Sequence, residues 1–348
     1  MAAKRALTPV APPGYRVTFS GYPAGERASA CLTTPVALAG ATMGTTWSVR
    51  LALPAQMTAD AARDAIQQAL DKAVAQMSTW DETSDLSRYN RSTSSGWVSL
   101  PEECLYVLRH ALQLAADTRG AYDPTIGPLV NAWGFGPPPY ASEPPSEDTI
   151  RTLQQRCGWE RIRLDNATGR AWQPGGAYLD LSAIAKGYGV DLAAQALNAL
   201  GIEDYLMEVG GELRARGQRP DGHPWRVAIE VPDGTDDHAL SLILSDRSIA
   251  TSGDYRRYRD SDTRRYAHTL DPRTGRPIIN GVASVTVIHA HCMQADALAT
   301  ALTVLGERDG LDYARRHGLA VLFILRDGQH LRLAASEAFA AFAASANQ

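Results

Sequence analysis

Apolar residues along this chain follow two spacings, and the helical one gives way to the strand one near the middle. In ATMGTTWSVRLAL, from Ala41, Trp47, Val49 and Leu51 alternate with polar neighbours, which predicts a half-buried strand. Over Ala61–Met77 the interval lengthens, and Ala62, Ile66, Leu70, Ala73 and Met77 form the stripe of an amphipathic helix. A second helix is predicted over Leu105–Thr118. Beyond residue 200 the short period returns in Tyr205–Val209, Glu212–Arg216, Trp225–Val231, Leu240–Leu244 and Val282–His289, with Gly210-Gly211 as a tight turn. The apolar run Leu319–Leu325 reads as a buried strand. Helices first and hairpins later predict an α+β fold: one large domain with a mixed or antiparallel sheet and flanking helices, not a doubly wound sheet. Residues 1–40, rich in Pro, Ala and Gly, read as a leader or flexible arm ahead of a domain spanning 41–340.

The stretch YLDLSAIAKGYGVD, Tyr178–Asp191, organises the rest. Tyr178 and Leu179 read as a short strand running into Asp180 and Ser182. A helix then carries Ile184, Tyr188, Leu192, Ala196 and Leu200 on one face and stops at Gly201. Unpaired N–H groups and the helix dipole favour an anion at such an entrance, and Lys186 adds a positive charge one turn in. A well-capped helix packed on a sheet explains the same residues.

Composition narrows the classes. With 45% hydrophobic and 21% charged residues, the 348-residue chain has ample material for a core. A net charge of −4 gives no sign of nucleic-acid binding. Four scattered cysteines show neither C-x-x-C nor metal-type spacing. No apolar run reaches membrane-spanning length, and no signal peptide or lipobox precedes Cys31, so a cytoplasmic location is the expectation from the sequence as it stands.

Four polar stretches carry candidate chemistry. GAYDPTIGPLVNAWGFG (residues 120–136) combines Gly and Pro with Tyr122, Trp133 and Phe135; it suits a flat ring ligand and equally a loop that plugs the core. SIATSGDYRRY places Asp254 at a strand end. In YAHTLDPRTGRP, Asp271–Gly275 has type I turn chemistry, and alternation places His268 on a strand, facing the same way as Tyr266 and Leu270. In QADALATALTVLG, a helix ending at Gly306, Asp296 and Thr300 stand four apart; they serve equally as capping groups or as hard oxygen ligands for Mg²⁺.

Seven motifs in order, MGTTWSVR, DPTIGPLVNAWGFG, LDLSAIAKGYGVD, EVGGELRARG, ATSGDY, HTLDPRTGRP and ADALATALTVLG, span residues 43 to 306 and resemble the FAD:protein FMN transferase (ApbE) family. The resemblance implies a T-fold-like α+β architecture, FAD as substrate and Mg²⁺ as cofactor. It implies transfer of FMN from FAD to a Ser or Thr hydroxyl of an acceptor protein, such as a redox subunit, with release of AMP. It also implies that Met43, Trp80, Gly120, Ala121, Tyr122, Asp180, Lys186 and Leu270 bind FAD, and that the Ala183 carbonyl, Asp296 and Thr300 bind the metal. Where some members carry further ligating side chains, this chain has Ala183 and Ala299, so side-chain ligation is sparser. His268 is the first candidate for the base that deprotonates the acceptor, with Asp254 and Asp271 in reserve. An FAD pyrophosphatase and a non-catalytic flavin-binding protein are the alternatives. Family members mostly act at the periplasmic face of the bacterial inner membrane.

Overall fold

The computed structural model describes residues 33–138, 143–232, 238–253, 258–261, 264–328 and 330–345. The chain opens with a hairpin, β1 (Thr33–Thr42) and β2 (Thr45–Pro54), followed by α1 (Ala59–Met77), α2 (Asp85–Asn90), β3 (Ser95–Ser99) and α3 (Glu102–Asp117). Two short helices follow, α4 (Gly127–Ala132) and α5 (Glu147–Gln154), then β4 (Leu164–Asp165), β5 (Arg170–Pro174) and α6 (Ala185–Ala199). The strand-rich half runs β6 (Tyr205–Val209), β7 (Glu212–Arg216), β8 (Arg226–Glu230), β9 (His238–Ile243), β10 (Ser248–Gly253), β11 (Tyr258–Ser261) and β12 (Arg264–Ala267). It ends with β13 (Leu270–Asp271), β14 (Arg276–Pro277), β15 (Val282–His289), α7 (Cys292–His317), β16 (Ala320–Asp327), β17 (His330–Ala335) and α8 (Glu337–Ser345).

Eight strands form one sheet in the order β1-β2-β6-β7-β10-β15-β16-β17, with every neighbouring pair antiparallel. The α+β expectation therefore holds. Alternate residues of the central strands enter different cores. Val49, Leu51, Met207 and Val209 meet Ile66 and Leu70 of α1 and Ala193 and Leu197 of α6, while Val285, Val287 and Phe323 meet Ala297 and Ala301 of α7. On the opposite face Leu206, Leu213, Ile288 and Ile324 pack on Trp225, Val227 and Leu242 of the β8–β9 hairpin and Phe339 of α8. A sheet covered on both sides buries consecutive residues, so β6 is buried throughout and β15 down to Ile288. Among the described residues, no helix is long and apolar enough to cross a membrane.

The structure redraws four sequence expectations. The alternation counted from Ala41 runs through a two-residue turn: Met43 and Gly44 both have positive φ (49° and 68°), which matches the right-handed twist of a hairpin. Regular structure accordingly starts at Thr33, inside the stretch expected to be an arm. Tyr178 and Leu179 form no strand. The Asn90 side chain takes both backbone groups of Leu179 (2.7 and 2.9 Å), and Asp180 N–H donates to the Pro124 carbonyl at 2.7 Å. In α6 the buried arc is Gly187–Asp191, Ala193, Ala194 and Leu197, while Leu192, Ala196 and Leu200 are half-buried, because the helix is wedged between α1 and α7. Finally, α7 does break at Gly306 (φ 77°, ψ −178°), but the chain re-enters helix and continues to His317.

Candidate active site

The entrance of α6 and the first turns of α7 meet in a close approach of backbone. A Cβ on Gly187 would lie 2.4 Å from the Cys292 carbonyl oxygen and 2.8 Å from Asp296 Cβ, so only glycine allows the contact. Across it, Gly187 N–H donates to Asp296 Oδ2 at 2.9 Å. Asp191, one turn further along α6, accepts from the N–H groups of Cys292 and Met293 (3.1 and 3.0 Å) and pairs with Arg214 at 2.6 Å. The two helices are thereby fixed in register, and Thr300 follows Asp296 one turn later on the same side of α7.

Charge is concentrated here. Lys186 Nζ lies 2.5 Å from Glu212 Oε1 on β7. Burial holds the carboxyl of Asp296 above its ordinary range, against the pull of Lys186 and the Gly187 N–H. Burial likewise raises Glu212, against the attraction of Lys186, with Asp296 adding to the rise. The Tyr122 ring is fully buried, and among the described residues its hydroxyl has no hydrogen-bond partner. That hydroxyl is held well above its usual range by burial first, then by the charges of Asp296, Asp180 and Asp123. One ammonium thus faces two deeply buried carboxyls, with further acids behind Tyr122. This environment favours an added cation.

Tyr122 is delivered by the end of α3. Arg119 and Gly120 adopt positive φ (52° and 78°), Gly120 N–H closes the helix on the Ala115 carbonyl at 2.8 Å, and Ala121 and Tyr122 turn inward. Asp123 then caps its own turn through Thr125 and reaches Trp159 N–H. Asp180 lies beside this segment, its carboxylate accepting from Ser182 N–H at 2.9 Å, and Gly127 leaves room for the Tyr178 ring. Segment 120–136 is thus a core plug (Leu129 and Trp133 are buried) that also brings Tyr122 within the electrostatic influence of Asp296. Met43 lies over Gly189 of α6. Trp80 is exposed. Ala183 is half-buried in the loop just before α6, and Ala299 is buried within α7.

His268 lies in a bend between β12 and β13, not on a strand, with its ring edge-on to Phe135 at 6.4 Å. Leu270 is buried against Leu129, Trp133 and Ile150. Asp271 is occupied: Arg273 donates to it from its backbone N–H and twice from its guanidinium (2.9–3.0 Å). Its carboxylate therefore organises the turn, together with Trp133 Nε1–H donating to the Gly275 carbonyl at 2.9 Å. Asp254 lies outside the described residues.

The model of the ApbE family matches residues 43–323. The chain belongs to the ApbE family. An FAD:protein FMN transferase from Vibrio cholerae is 41% identical over 310 residues, which is 88% of this chain and 92% of the relative. The Escherichia coli K12 protein of the same name is 36% identical over 313 residues, covering 88% and 89%. Among solved structures, the flavin transferase ApbE from Vibrio cholerae superposes with a TM-score of 0.83 at 39% identity, covering 89% of this chain and 99% of that one. The apo flavinyl transferase ApbE of Pseudomonas stutzeri gives 0.83 at 37%, covering 89% and 97%. The ApbE resemblance carried by the seven motifs is thus matched across most of the chain.

Three residues at this ApbE site carried no role in the sequence reading: Glu212, Asp191 and Asn90. Glu212 and Asp191 lie inside quoted motifs, and a charged residue at an otherwise apolar strand or helix position was the available signal.

Proposed function

We propose that this chain catalyses Mg²⁺-dependent transfer of FMN from FAD to a Ser or Thr hydroxyl of an acceptor protein, releasing AMP. The carrying observation is the buried charge cluster at the α6–α7 contact, in a chain whose relatives bear the name FAD:protein FMN transferase. The donor set fits a hard cation. Asp296 is a buried carboxyl whose hydrogen bond to Gly187 N–H leaves its second oxygen open to a ligand, the Thr300 hydroxyl stands one turn on, and the Ala183 carbonyl belongs to the loop leading into α6. An ion held by these residues would supply neutralisation of charge on the pyrophosphate.

The chain's own residues supply the rest. Lys186, in the first turn of α6, attracts the phosphates. Met43, Tyr122 and the Gly120-Ala121 backbone line the pocket for the ring systems, with Asp180, Leu270 and exposed Trp80 at its margins. In the reaction the acceptor oxygen bonds to the FMN-side phosphorus as the bond from that phosphorus to the bridging oxygen breaks. AMP leaves with the bridging oxygen, and the hydroxyl proton passes to a base. His268 is the first candidate for that base, with Asp254 in reserve, while Asp271 is committed to Arg273.

The test is incubation of the protein with FAD and Mg²⁺, with and without an acceptor. An acceptor gain of one FMN, matched by AMP and lost with chelator, supports the proposal. AMP and free FMN without acceptor modification would make the chain a pyrophosphatase, and retained FAD without AMP a binding protein.

A further inference from the structure

Glu212 contributes to this site in a way that packing alone does not explain. It follows the Gly210-Gly211 turn on β7, the same strand that carries Arg214 two residues later. Both side chains reach α6: Glu212 takes Lys186, and Arg214 takes Asp191, five residues further along the helix. The pairs are unlike in exposure. The Glu212 side chain is 4% exposed, whereas that of Lys186 is 34% exposed, so the pair joins a buried carboxylate to a partly exposed lysine. Among the described residues, Glu212 Oε2 is buried with no partner. A carboxylate kept only to clamp a helix gains nothing from an unsatisfied buried oxygen, since desolvating it is unfavourable.

We propose that Glu212 is the positioning residue for Lys186, pinning a long, flexible side chain so that its ammonium is already aimed at the phosphates when FAD arrives. This rests on the reading of Lys186 as an FAD-binding residue. A free lysine loses rotamer freedom on binding, and an anchor inside the protein removes that loss from the binding step. Arg214 and Asp191 hold the helix, while Glu212 holds the charge.

The experiment is FAD affinity in Mg²⁺, read by quenching of flavin fluorescence, for wild type, Glu212→Gln, Glu212→Ala, Lys186→Ala and the Glu212→Ala/Lys186→Ala pair, with thermal melts alongside. Glu212→Ala is expected to weaken FAD roughly tenfold to a hundredfold, the range of one charge-assisted hydrogen bond. Glu212→Gln, which keeps an acceptor oxygen, is expected to lose less. Neither should weaken FAD further once Lys186 is alanine, because the effect acts through that side chain. Additive losses would overturn the proposal, as would unchanged or tighter FAD binding in a Glu212→Ala protein that melts like wild type. If Glu212→Ala fails to fold, the cycle is run with Glu212→Gln and the same criterion applies. Wild type that binds no FAD would remove the underlying reading itself, a result distinct from additivity.

Discussion

The α6–α7 contact and the corner around His268 face the same chemistry with opposite constructions. At the contact, Gly187, Asp191, Cys292 and Asp296 are buried and joined by backbone-to-carboxylate hydrogen bonds, and no Cβ fits at Gly187. At the corner, β13 and β14 are two residues each, His268 sits in a bend, and Arg276 reaches Glu147 through an ion pair at the surface. On the proposed function, the difference matches what each region would meet. Phosphates and a metal need fixed partners in a dry setting, whereas an acceptor protein must bring its own hydroxyl in from solvent.

If that division is right, damage to the two regions should separate cleanly. Asp296→Ala removes the buried carboxylate, and transfer is expected to fall by at least about a hundredfold together with Mg²⁺-dependent FAD binding. Titration of FAD against Mg²⁺ checks this. His268→Ala is expected to lower the transfer rate by about a hundredfold while FAD affinity stays near wild type. Equal loss of both would blur the comparison. Gly187→Ala forces a methyl against the Cys292 carbonyl, and such overpacking costs about 1–3 kcal/mol, seen as a lower melting temperature and weaker metal response.

Proton competition should mark the contact alone. Burial raises the Asp296 carboxyl above its ordinary value, and the protonated form cannot ligate a metal. The folded chain therefore holds that proton more tightly than the unfolded one, and on the proposed function Mg²⁺ would have to displace it. Thermal stabilisation by Mg²⁺ is expected to be larger at about pH 8 than at about pH 5. The smallest effect belongs to Arg276→Ala: an exposed ion pair contributes roughly 0–1 kcal/mol, so stability should hardly change.

What could be read in advance depended on where each residue finds its partner. The α1 stripe from Ala62 to Met77 was legible because that helix buries one face and leaves the other in water. Tyr178-Leu179 looked like a strand, yet its backbone partners are the Asn90 side chain and, for Asp180, the Pro124 carbonyl, and no local spacing announces them. The alternation of β15 gave the element correctly. It could not indicate the second covered face, because Val287 and Ile288 enter different cores. At the site, Asp296 and Thr300 were visible as a pair four apart. The Gly187 N–H that orients Asp296 lies 109 residues away in the chain, and Glu212 lies 26 residues from Lys186. Asp271 was ambiguous for the opposite reason: its partner, Arg273, is so near that turn chemistry and catalysis share one signature.

Asp191 and Asp296 make the two helix starts a matched pair. Two helices begin close together here, and each would present a cluster of unpaired N–H groups to any anion. The α7 start is answered from within, because Asp191 supplies the negative group that Cys292 and Met293 address. At α6 the cap position falls to Ile184, which makes no side-chain hydrogen bond there. The arrangement is still reciprocal: Asp296 of α7 accepts from Gly187 N–H in the first turn of α6, so the start of each helix is met by a carboxylate borne on the other.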